Sequence, residues 1–242
     1  MRAARGHDVD PADLNYKAGD EFLSAARGKT IQPSIFIDSR GRAYSLPAHT
    51  LASARGQGEP LTGKLTPSEG ARFLSVVMGF PDQKVLLASD AGYGFITDLS
   101  NMVTKNTKGK AMLTVAKDCE ALPPAYVNNY ETDYLVAITT EGRMLVIPAV
   151  VLPELPKGKG NKIIQIPPAR VKNREEYLKL IEIIPQDTTI KIHAGKRYIR
   201  LTPSNMSDFI GERGRRGRKL PRGFRNASRI EVVEAINHKE VV

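Results

Sequence analysis

Short runs of β-branched and other apolar residues recur along the chain in pairs, and a turn that contains glycine separates the two runs of each pair. The runs before the turns read SIFID, VLLAS, LVAIT and TIKIH, and runs such as RMLVI and RYIRL follow the turns. Two such runs joined by a tight glycine turn are typical of a β-hairpin, because glycine readily adopts positive φ. The pattern therefore predicts one hairpin in each of four segments.

The four segments are repeats of one structural unit. They align on the turn glycines Gly41, Gly92, Gly142 and Gly195, which lie 51, 50 and 53 residues apart. Apolar residues share columns around these glycines: three positions later stand Tyr44, Phe95, Leu145 and Tyr198, and five positions earlier stand Phe36, Leu87, Ala137 and Ile190. A period of about 50 residues made of short strands indicates a propeller-like assembly of four-stranded blades.

The fold class predicted from this pattern is all-β. Helical character is expected only in short pieces such as PAHTLAS, DLSNMVT and NREEYLKLI. The segment NYKAGDEFLSAA near the start is similar to the second half of a repeat, and NASRIEVVEA near the end supplies one more strand. That last strand either closes the ring or caps the last blade.

A second glycine-rich stretch follows each hairpin and begins 13 to 16 residues after the turn glycine. The stretches read ARGQGEP, TKGKAM, PKGKGNK and GERGRRGRK, and three of the four carry two or more basic residues. The net charge of +10 is uneven, since residues 1–156 carry 16 basic and 17 acidic residues and residues 157–242 carry 20 and 9. A basic last third indicates a polyanion-binding face, with nucleic acid as the commonest partner; a solvated face or flexible tail is the alternative.

Several classes of function are disfavoured by composition. A single cysteine excludes an internal disulfide framework and Cys-rich metal sites, and His7, His49, His193 and His238 lie far apart in sequence. No apolar run approaches the roughly 20 residues that span a bilayer, and the first residues lack the apolar segment of a secretion signal. We expect a soluble intracellular chain in a reducing cytoplasm.

Catalytic motifs are also weak. The string AARGKT is similar to the end of a phosphate-binding loop, but Leu23 stands where that motif requires glycine. Cys119 is expected to be a small buried or idle thiol, and Asp38, Asp90 and Glu141 to be turn-forming residues rather than a joint site. His193 is expected on the outward face of its strand, within reach of a phosphate.

Several ordered motifs, LNYKAGDEF, SARGQGEPLTGKL, SDAGYGF, LPELPKGKGNKII and GERGRRG, together resemble the C-terminal domain of the A subunit of bacterial DNA topoisomerase IV. The related gyrase domain carries a box of the form QRRGGKG, which does not occur here; residues 16–20 read YKAGD at the corresponding place. The resemblance therefore favours topoisomerase IV and argues against gyrase-like full wrapping of DNA.

The resemblance implies a gyrase-like β-pinwheel of about five four-stranded blades with an incomplete first blade, in a closed, open or broken ring. We expect a single domain, residues 1–242, with repeats at roughly 1–33, 34–84, 85–133, 134–186 and 187–242, and without the N-terminal breakage-reunion region and its catalytic tyrosine. The implied function is to bind and bend duplex DNA, which sets substrate preference in decatenation and supercoil relaxation. Rival classes are a protein-interaction propeller with an acidic partner and an RNA-binding module.

The resemblance also implies partners and surroundings. The partners would be duplex DNA, the breakage-reunion region, the ATP-hydrolysing B subunit of topoisomerase IV in a heterotetramer, and a chromosome-condensation protein. The isolated domain would be monomeric. No cofactor is expected in this domain, because ATP and magnesium act elsewhere in the holoenzyme, and no metal site or catalytic residue is expected. The location would be the cytoplasm, at the nucleoid, with peripheral association at the inner membrane in some relatives.

The candidate DNA-binding residues are the basic side chains of the glycine-rich stretches and of the last hairpin turn. Arg40, Arg42 and Arg143, at other hairpin turns, extend the candidate path. Replacing Arg213, Arg215 and Arg216 with alanine is expected to weaken binding with little effect on folding. The full candidate set is Arg55, Lys64, Lys105, Lys108, Lys110, Lys157, Lys159, Lys162, Lys196, Arg197, Arg213, Arg215, Arg216, Arg218 and Lys219.

Overall fold

The computed structural model describes residues 1–4, 6 and 9–233. Its strands are β1 (Pro33–Asp38), β2 (Arg42–Pro47), β3 (Phe73–Val77), β4 (Lys84–Ser89), β5 (Tyr93–Asp98), β6 (Lys110–Ala111), β7 (Ala125–Val127), β8 (Tyr134–Thr139), β9 (Arg143–Pro148), β10 (Asn161–Lys162), β11 (Leu178–Ile184), β12 (Thr189–Ala194), β13 (Arg197–Leu201), β14 (Arg218–Lys219) and β15 (Arg229–Val233). The α-helices are α1 (Leu99–Met102), α2 (Pro168–Lys172) and α3 (Pro203–Met206). Short 3-10 turns lie at Pro11–Asp13, Ala48–Thr50, Leu61–Gly63, Ala149–Val151 and Ser207–Phe209.

The described residues form four antiparallel sheets, in the orders β3-β1-β2-β6, β10-β5-β4-β7, β11-β8-β9-β14 and β13-β12-β15. Each sheet is built on one of the four predicted hairpins, which confirms the all-β prediction. The first repeat contributes little to these sheets: residues 9–32 hold one 3-10 turn, and Ala3 makes an isolated bridge to Ser53. The C-terminal strand β15 pairs with β12 and so completes the last sheet; residues 234 and 235 of the predicted strand lie outside the described part.

One helical prediction was wrong. The segment NREEYLKLI was expected to be helical, but its last four residues begin β11, and the nearest helix, α2, ends before it. Strand β11 pairs along its length with β8, which places Leu180 opposite Ile138 and Ile183 opposite Leu135. Pairing with a buried neighbouring strand outweighs the helix propensity of Glu and Leu here.

Consecutive sheets pack against each other through three apolar clusters. In the first cluster, Ile35 and Ile37 pack with Val85 and Phe95, between the first and second sheets. The second cluster joins Leu86 and Ile96 to Leu135 and Ile147, and the third joins Val136 and Ile138 to Ile190 and Ile192. This sheet-to-sheet stacking is the arrangement expected of propeller-like blades. No helix among the described residues has the length and apolarity needed to cross a membrane.

The two edges of the sheets have different neighbours. At one edge, β11 contacts both β7 and β15, so that the edge strands of neighbouring sheets meet. At the opposite edge lie β6, β10 and β14, each supplied by the repeat that follows the hairpin it pairs with. Each two-residue strand belongs to one of the glycine-rich basic stretches. We call the four stretches latch 1 (residues 55–66), latch 2 (105–114), latch 3 (157–165) and latch 4 (211–220).

Candidate nucleic-acid interface

Each latch carries one glycine that lies tightly against the preceding unit. Gly58, Gly109, Gly160 and Gly217 all have positive φ, at +82°, +72°, +75° and +70°. A β-carbon would lie 2.6 Å from the Met1 carbonyl oxygen at Gly58, from a ring carbon of Tyr44 at Gly109 and from the Met144 carbonyl oxygen at Gly217; at Gly160 it would overlap the backbone of Gly94. Only glycine combines this backbone conformation with this close approach. The glycines therefore fix where each basic stretch crosses the preceding unit.

Backbone hydrogen bonds join the latches end to end. The Thr66 amide donates to the Thr107 carbonyl over 2.8 Å, which connects latch 1 with latch 2. The Thr114 amide donates to the Gly158 carbonyl, and the Gly214 amide to the Ile163 carbonyl, each over 2.8 Å. The four basic stretches, which lie about 50 residues apart in sequence, thus form one continuous ribbon along the sheet edge at which β6, β10 and β14 lie.

In the first three hairpins, the residue after the turn glycine contacts the latch that crosses the turn. Arg42 donates from Nε to the Lys108 carbonyl over 3.0 Å and from Nη2 to the Gly109 carbonyl over 2.7 Å. Arg143 donates from Nη1 to the Gly217 carbonyl over 3.1 Å. We predicted these two arginines as extensions of the DNA path, but their guanidinium groups bind latch carbonyls and hold the latches in place.

The corresponding residue of the second hairpin is aromatic. The ring of Tyr93 lies under two ammonium groups of latch 3, with its centroid 3.9 Å from Nζ of Lys159 and 5.7 Å from Nζ of Lys162. Cation–π attraction of this kind holds lysine side chains in place while their charge stays available to an anion.

Most of the candidate basic residues are exposed on the ribbon. The exposed ones within the latches are Arg55, Lys105, Lys108, Lys157, Lys159, Arg213, Arg215, Arg218 and Lys219. Lys64, Lys110 and Lys162 are half-buried and have partners: Lys64 pairs with Glu59 at 3.3 Å, Lys110 donates to the Asn101 carbonyl, and Lys162 donates to Gln165. Latch 1 is therefore the least positive of the four, since Glu59 offsets Lys64.

Exposed acids accompany two arginines of latch 4. Arg215 pairs with Glu212 at 2.7 Å, and Arg218 lies 3.8 Å from Asp208. In each pair both side chains are more than 70% exposed. Ion pairs with this exposure contribute little and are screened by salt, so both guanidinium groups can exchange the carboxylate for a phosphate.

Arg216 occupies a different environment from its neighbours. Its Nη1 lies 2.7 Å from Oε1 of Glu176, whose side chain is 0% exposed, and the second nitrogen binds the other oxygen of the same carboxylate. The expectation that alanine at Arg213, Arg215 and Arg216 would scarcely affect folding therefore has to be revised for Arg216, because its removal leaves a buried carboxylate short of its main partner.

The last hairpin turn lies apart from the ribbon. Lys196 and Arg197 are exposed, but no latch pairs with β13 in the described part of the chain. The Arg197 guanidinium lies 5.7 Å from the ring centroid of Phe224 instead. The structure therefore brings together the candidates of the four latches, whereas these two lie at the hairpin of the last sheet, with which no latch pairs among the described residues.

The acidic residues before the turns have different partners. Asp38 is fully buried and accepts hydrogen bonds from the amides of Arg40 and Arg42, both at 2.9 Å, and from the hydroxyl of Tyr44 at 2.7 Å. Burial, together with Asp38, raises the pKa of Tyr44 well above its usual range. Asp90 pairs with Arg174 at 2.7 Å. The contacts of Asp38 agree with the turn-forming role predicted for it, whereas Asp90 pairs with an arginine outside its turn and Glu141 lies 3.4 Å from Arg170.

Other candidate groups are also engaged in structural contacts. Burial and then the adjacent Asp90 raise the pKa of the Cys119 thiol, so the thiolate is disfavoured. Nε2 of His193 lies 2.7 Å from Oε2 of Glu231, so this histidine contacts a carboxylate rather than standing open toward phosphate. His7 and His238 lie outside the described residues. Within the part that the structure describes, no group of three or more His, Cys, Asp or Glu side chains is placed to hold a metal ion.

Sequence reasoning missed two kinds of residue. The first is Glu176, which lies in a segment that the sequence predicted to be helical. The second is the structural role of Arg42 and Arg143, which were named as extensions of the DNA path and bind latch carbonyls. Their position directly after the turn glycine, opposite a glycine of the next repeat, was a usable signal for the second kind, whereas nothing local distinguishes Glu176 from its exposed neighbour Glu175.

Comparison with known proteins places the chain in a family. The family described as DNA gyrase C-terminal domain, beta-propeller, matches residues 83–122 and 133–179. The A subunit of DNA topoisomerase 4 from Pseudomonas aeruginosa is 50% identical over 232 residues, and that from Escherichia coli strain K12 is 48% identical over 232 residues. Each alignment covers 96% of this chain and 31% of the relative, so the chain spans about a third of the length of these curated relatives.

A solved structure covers the same region. The structure of the E. coli ParC C-terminal domain has 48% sequence identity and a TM-score of 0.86, and the match covers 97% of this chain and 94% of that one. The hairpin sheets and the order of the repeats therefore have a close counterpart of nearly the same extent. The chain belongs to the family of the C-terminal β-pinwheel domains of the DNA topoisomerase IV A subunit.

Proposed function

We propose that this chain binds duplex DNA along the latch ribbon and bends it. The observation that supports the proposal best is the end-to-end hydrogen bonding of the four latches, because it turns separate basic stretches into one continuous track. An exposed cation stands next to three of the four fixed glycines: Lys108 beside Gly109, Lys159 beside Gly160 and Arg218 beside Gly217.

The physical basis of binding would be release of condensed counterions. Duplex DNA carries one negative charge per roughly 1.7 Å of axis, so a protein edge that presents cations repeatedly gains free energy at each neutralised phosphate. The deformation of the duplex, which costs on the order of 1–6 kcal/mol for a moderate smooth bend, is offset by the additional contacts that the bend permits. Contacts from flexible lysines and arginines to phosphates would be largely independent of base sequence.

The role in a larger enzyme follows from the relatives, whose names describe them as the A subunit of DNA topoisomerase 4. We propose that the domain engages a DNA segment beside the breakage-reunion region and thereby sets substrate preference in decatenation and supercoil relaxation. The catalytic tyrosine and the sites for ATP and magnesium would lie in other parts of the holoenzyme, a heterotetramer with the ATP-hydrolysing B subunit. The enzyme would act in the cytoplasm at the nucleoid, and a chromosome-condensation protein would be a further partner.

Binding as a function of salt tests this function. The purified chain should bind unrelated duplexes alike, and the affinity should fall by roughly 10³ between 50 and 200 mM salt if six or more phosphates are contacted. Relaxed, supercoiled and linear DNA, double-stranded RNA and an acidic protein should be compared as competitors. Preference for RNA, or for the acidic protein with an affinity that is insensitive to salt, would favour the corresponding rival class.

A further inference from the structure

We propose that Glu176 is a positioning residue for DNA binding: through Arg216 it holds latch 4, the most basic of the four, against latch 3, so that the two latches form one surface. This inference rests on the proposed function of the ribbon. Glu176 itself carries the wrong charge to touch a phosphate and is buried, so it acts through the arginine that it binds.

Among the three units that share one backbone contact near the turn, only the third has a charged residue at this position. The amides of Ser39, Asp90 and Thr140, each two residues before a turn glycine, donate to the carbonyls of Arg72, Glu120 and Tyr177. The residue just before each acceptor is Ala71, Cys119 or Glu176. Two units therefore place a small uncharged side chain here, and the third buries a carboxylate. Burial of a carboxylate raises the free energy of the folded state unless hydrogen bonds and ion pairs compensate for the lost hydration.

The partners of Glu176 come from three directions. Arg216 of latch 4 binds both carboxylate oxygens, with Nη1 2.7 Å from Oε1. The hydroxyl of Thr139, at the end of β8, donates to Oε1 over 3.0 Å, and Nη1 of Arg170 in α2 lies 3.2 Å from Oε2. The carboxylate thus ties latch 4 to the third sheet and to the segment before β11.

Arg216 extends this link to latch 3. The same Nη1 donates to the Gln165 carbonyl over 3.1 Å, while the Gln165 amide donates to the Arg215 carbonyl over 2.9 Å. Nη1 of Arg213 donates to the Lys162 carbonyl over 3.1 Å. Because Arg216 is fixed between Glu176 and Gln165, the exposed residues on either side of it are held against latch 3, the stretch that also carries Lys157 and Lys159.

A change of charge and a loss of positioning predict opposite effects, which makes the proposal testable. Glu176→Gln removes one negative charge, so an account based on total charge predicts tighter DNA binding. The positioning account predicts weaker binding, because the amide cannot form the bidentate ion pair that holds Arg216. Glu212→Gln, in the exposed part of latch 4, makes the same change of charge beside Arg215 without touching the buried link, and it should tighten binding.

A second pair of variants keeps the charge constant. Arg216→Lys retains the positive charge but loses the planar bidentate geometry, so it should also weaken binding. Arg174→Lys makes the same substitution at an arginine whose partner is buried Asp90 rather than Glu176. It should lower the melting temperature but leave DNA affinity unchanged, which separates general loss of stability from loss of positioning.

The experiment measures binding of the chain to one labelled duplex across a salt series, at a temperature where circular dichroism shows each variant folded. We expect Glu176→Gln and Arg216→Lys to bind at least about threefold more weakly than the unmodified chain. The slope of log affinity against log salt concentration should become shallower by about one for each lost phosphate contact. Equal or tighter binding by both variants would overturn the role of Glu176. If the unmodified chain itself binds no DNA, the proposed function fails instead, and the two failures are therefore distinct.

Discussion

The guanidinium of Arg42 donates to the carbonyl of Gly109, 67 positions later in the chain, over 2.7 Å. This contact joins the turn of the first hairpin to latch 2, and a second hydrogen bond to the Lys108 carbonyl accompanies it. The turn of one unit therefore helps to determine where the lysines of the next unit lie.

We expect Arg42→Ala to reduce the free energy of unfolding by about 1–2 kcal/mol, because two charge-assisted hydrogen bonds to latch carbonyls are lost from a half-buried site. Arg40→Ala, in the same turn and exposed, is the matched control and should change stability by less than about 0.5 kcal/mol. Urea unfolding followed by circular dichroism measures both. Equal effects would show that Arg42 does not stabilise the latch.

Gly109→Ala should be strongly destabilising, by about 3 kcal/mol. The new methyl group would both occupy a backbone with φ of +72° and overlap the ring of buried Tyr44. Gly63→Ala is the control, since Gly63 has no neighbouring atom within 4 Å of the added methyl group. Thermal unfolding should separate the two variants clearly, and a stable Gly109→Ala protein would contradict the close approach of latch 2 to β2.

Arg216→Ala should destabilise the fold by about 3 kcal/mol, near the lower end of the cost of breaking a buried ion pair, because Thr139 and Arg170 still bind Glu176. Arg213→Ala, at an exposed position of the same latch, should cost within about 0.5 kcal/mol. Chemical denaturation of the two single variants measures the difference. Similar midpoints would mean that Arg216 contributes no more than an ordinary surface arginine.

The same ion pair predicts how stability depends on pH. Burial would raise the pKa of Glu176, but hydrogen bonds from Arg216 and Thr139 and the charges of Arg216 and Arg170 outweigh it, so that the pKa lies below its usual value. A carboxylate with a lowered pKa contributes stability above its unfolded-state pKa of about 4.3, and this contribution is lost as the pH falls through the folded-state pKa. Below about pH 4.5, wild-type stability should therefore fall more steeply than that of Glu176→Gln. Parallel curves in urea titrations at several pH values would contradict this.

The sequence predicted the hairpins because each one is local: its two strands and its turn glycine lie within about 15 residues. The repeat then placed the basic stretches at comparable positions in each unit. The partner of each latch could not be predicted in this way, because β6 pairs with a hairpin that lies more than 60 residues earlier. For the same reason, the role of Arg216 could not be predicted. It is an arginine like Arg213 and Arg215, and it differs from them only in the buried carboxylate that the fold brings to it.

The bend in bound DNA distinguishes a continuous path along the latches from scattered contacts. A duplex much shorter than the persistence length of about 150 base pairs, labelled at both ends for energy transfer, is straight without protein. We predict that saturating amounts of the chain bring the ends closer, and that Lys105→Ala with Lys108→Ala, which leaves the other latches intact, reduces the change at saturation. DNA that binds in a salt-dependent manner but shows unchanged energy transfer at saturation would contradict a continuous, bent path along the latches.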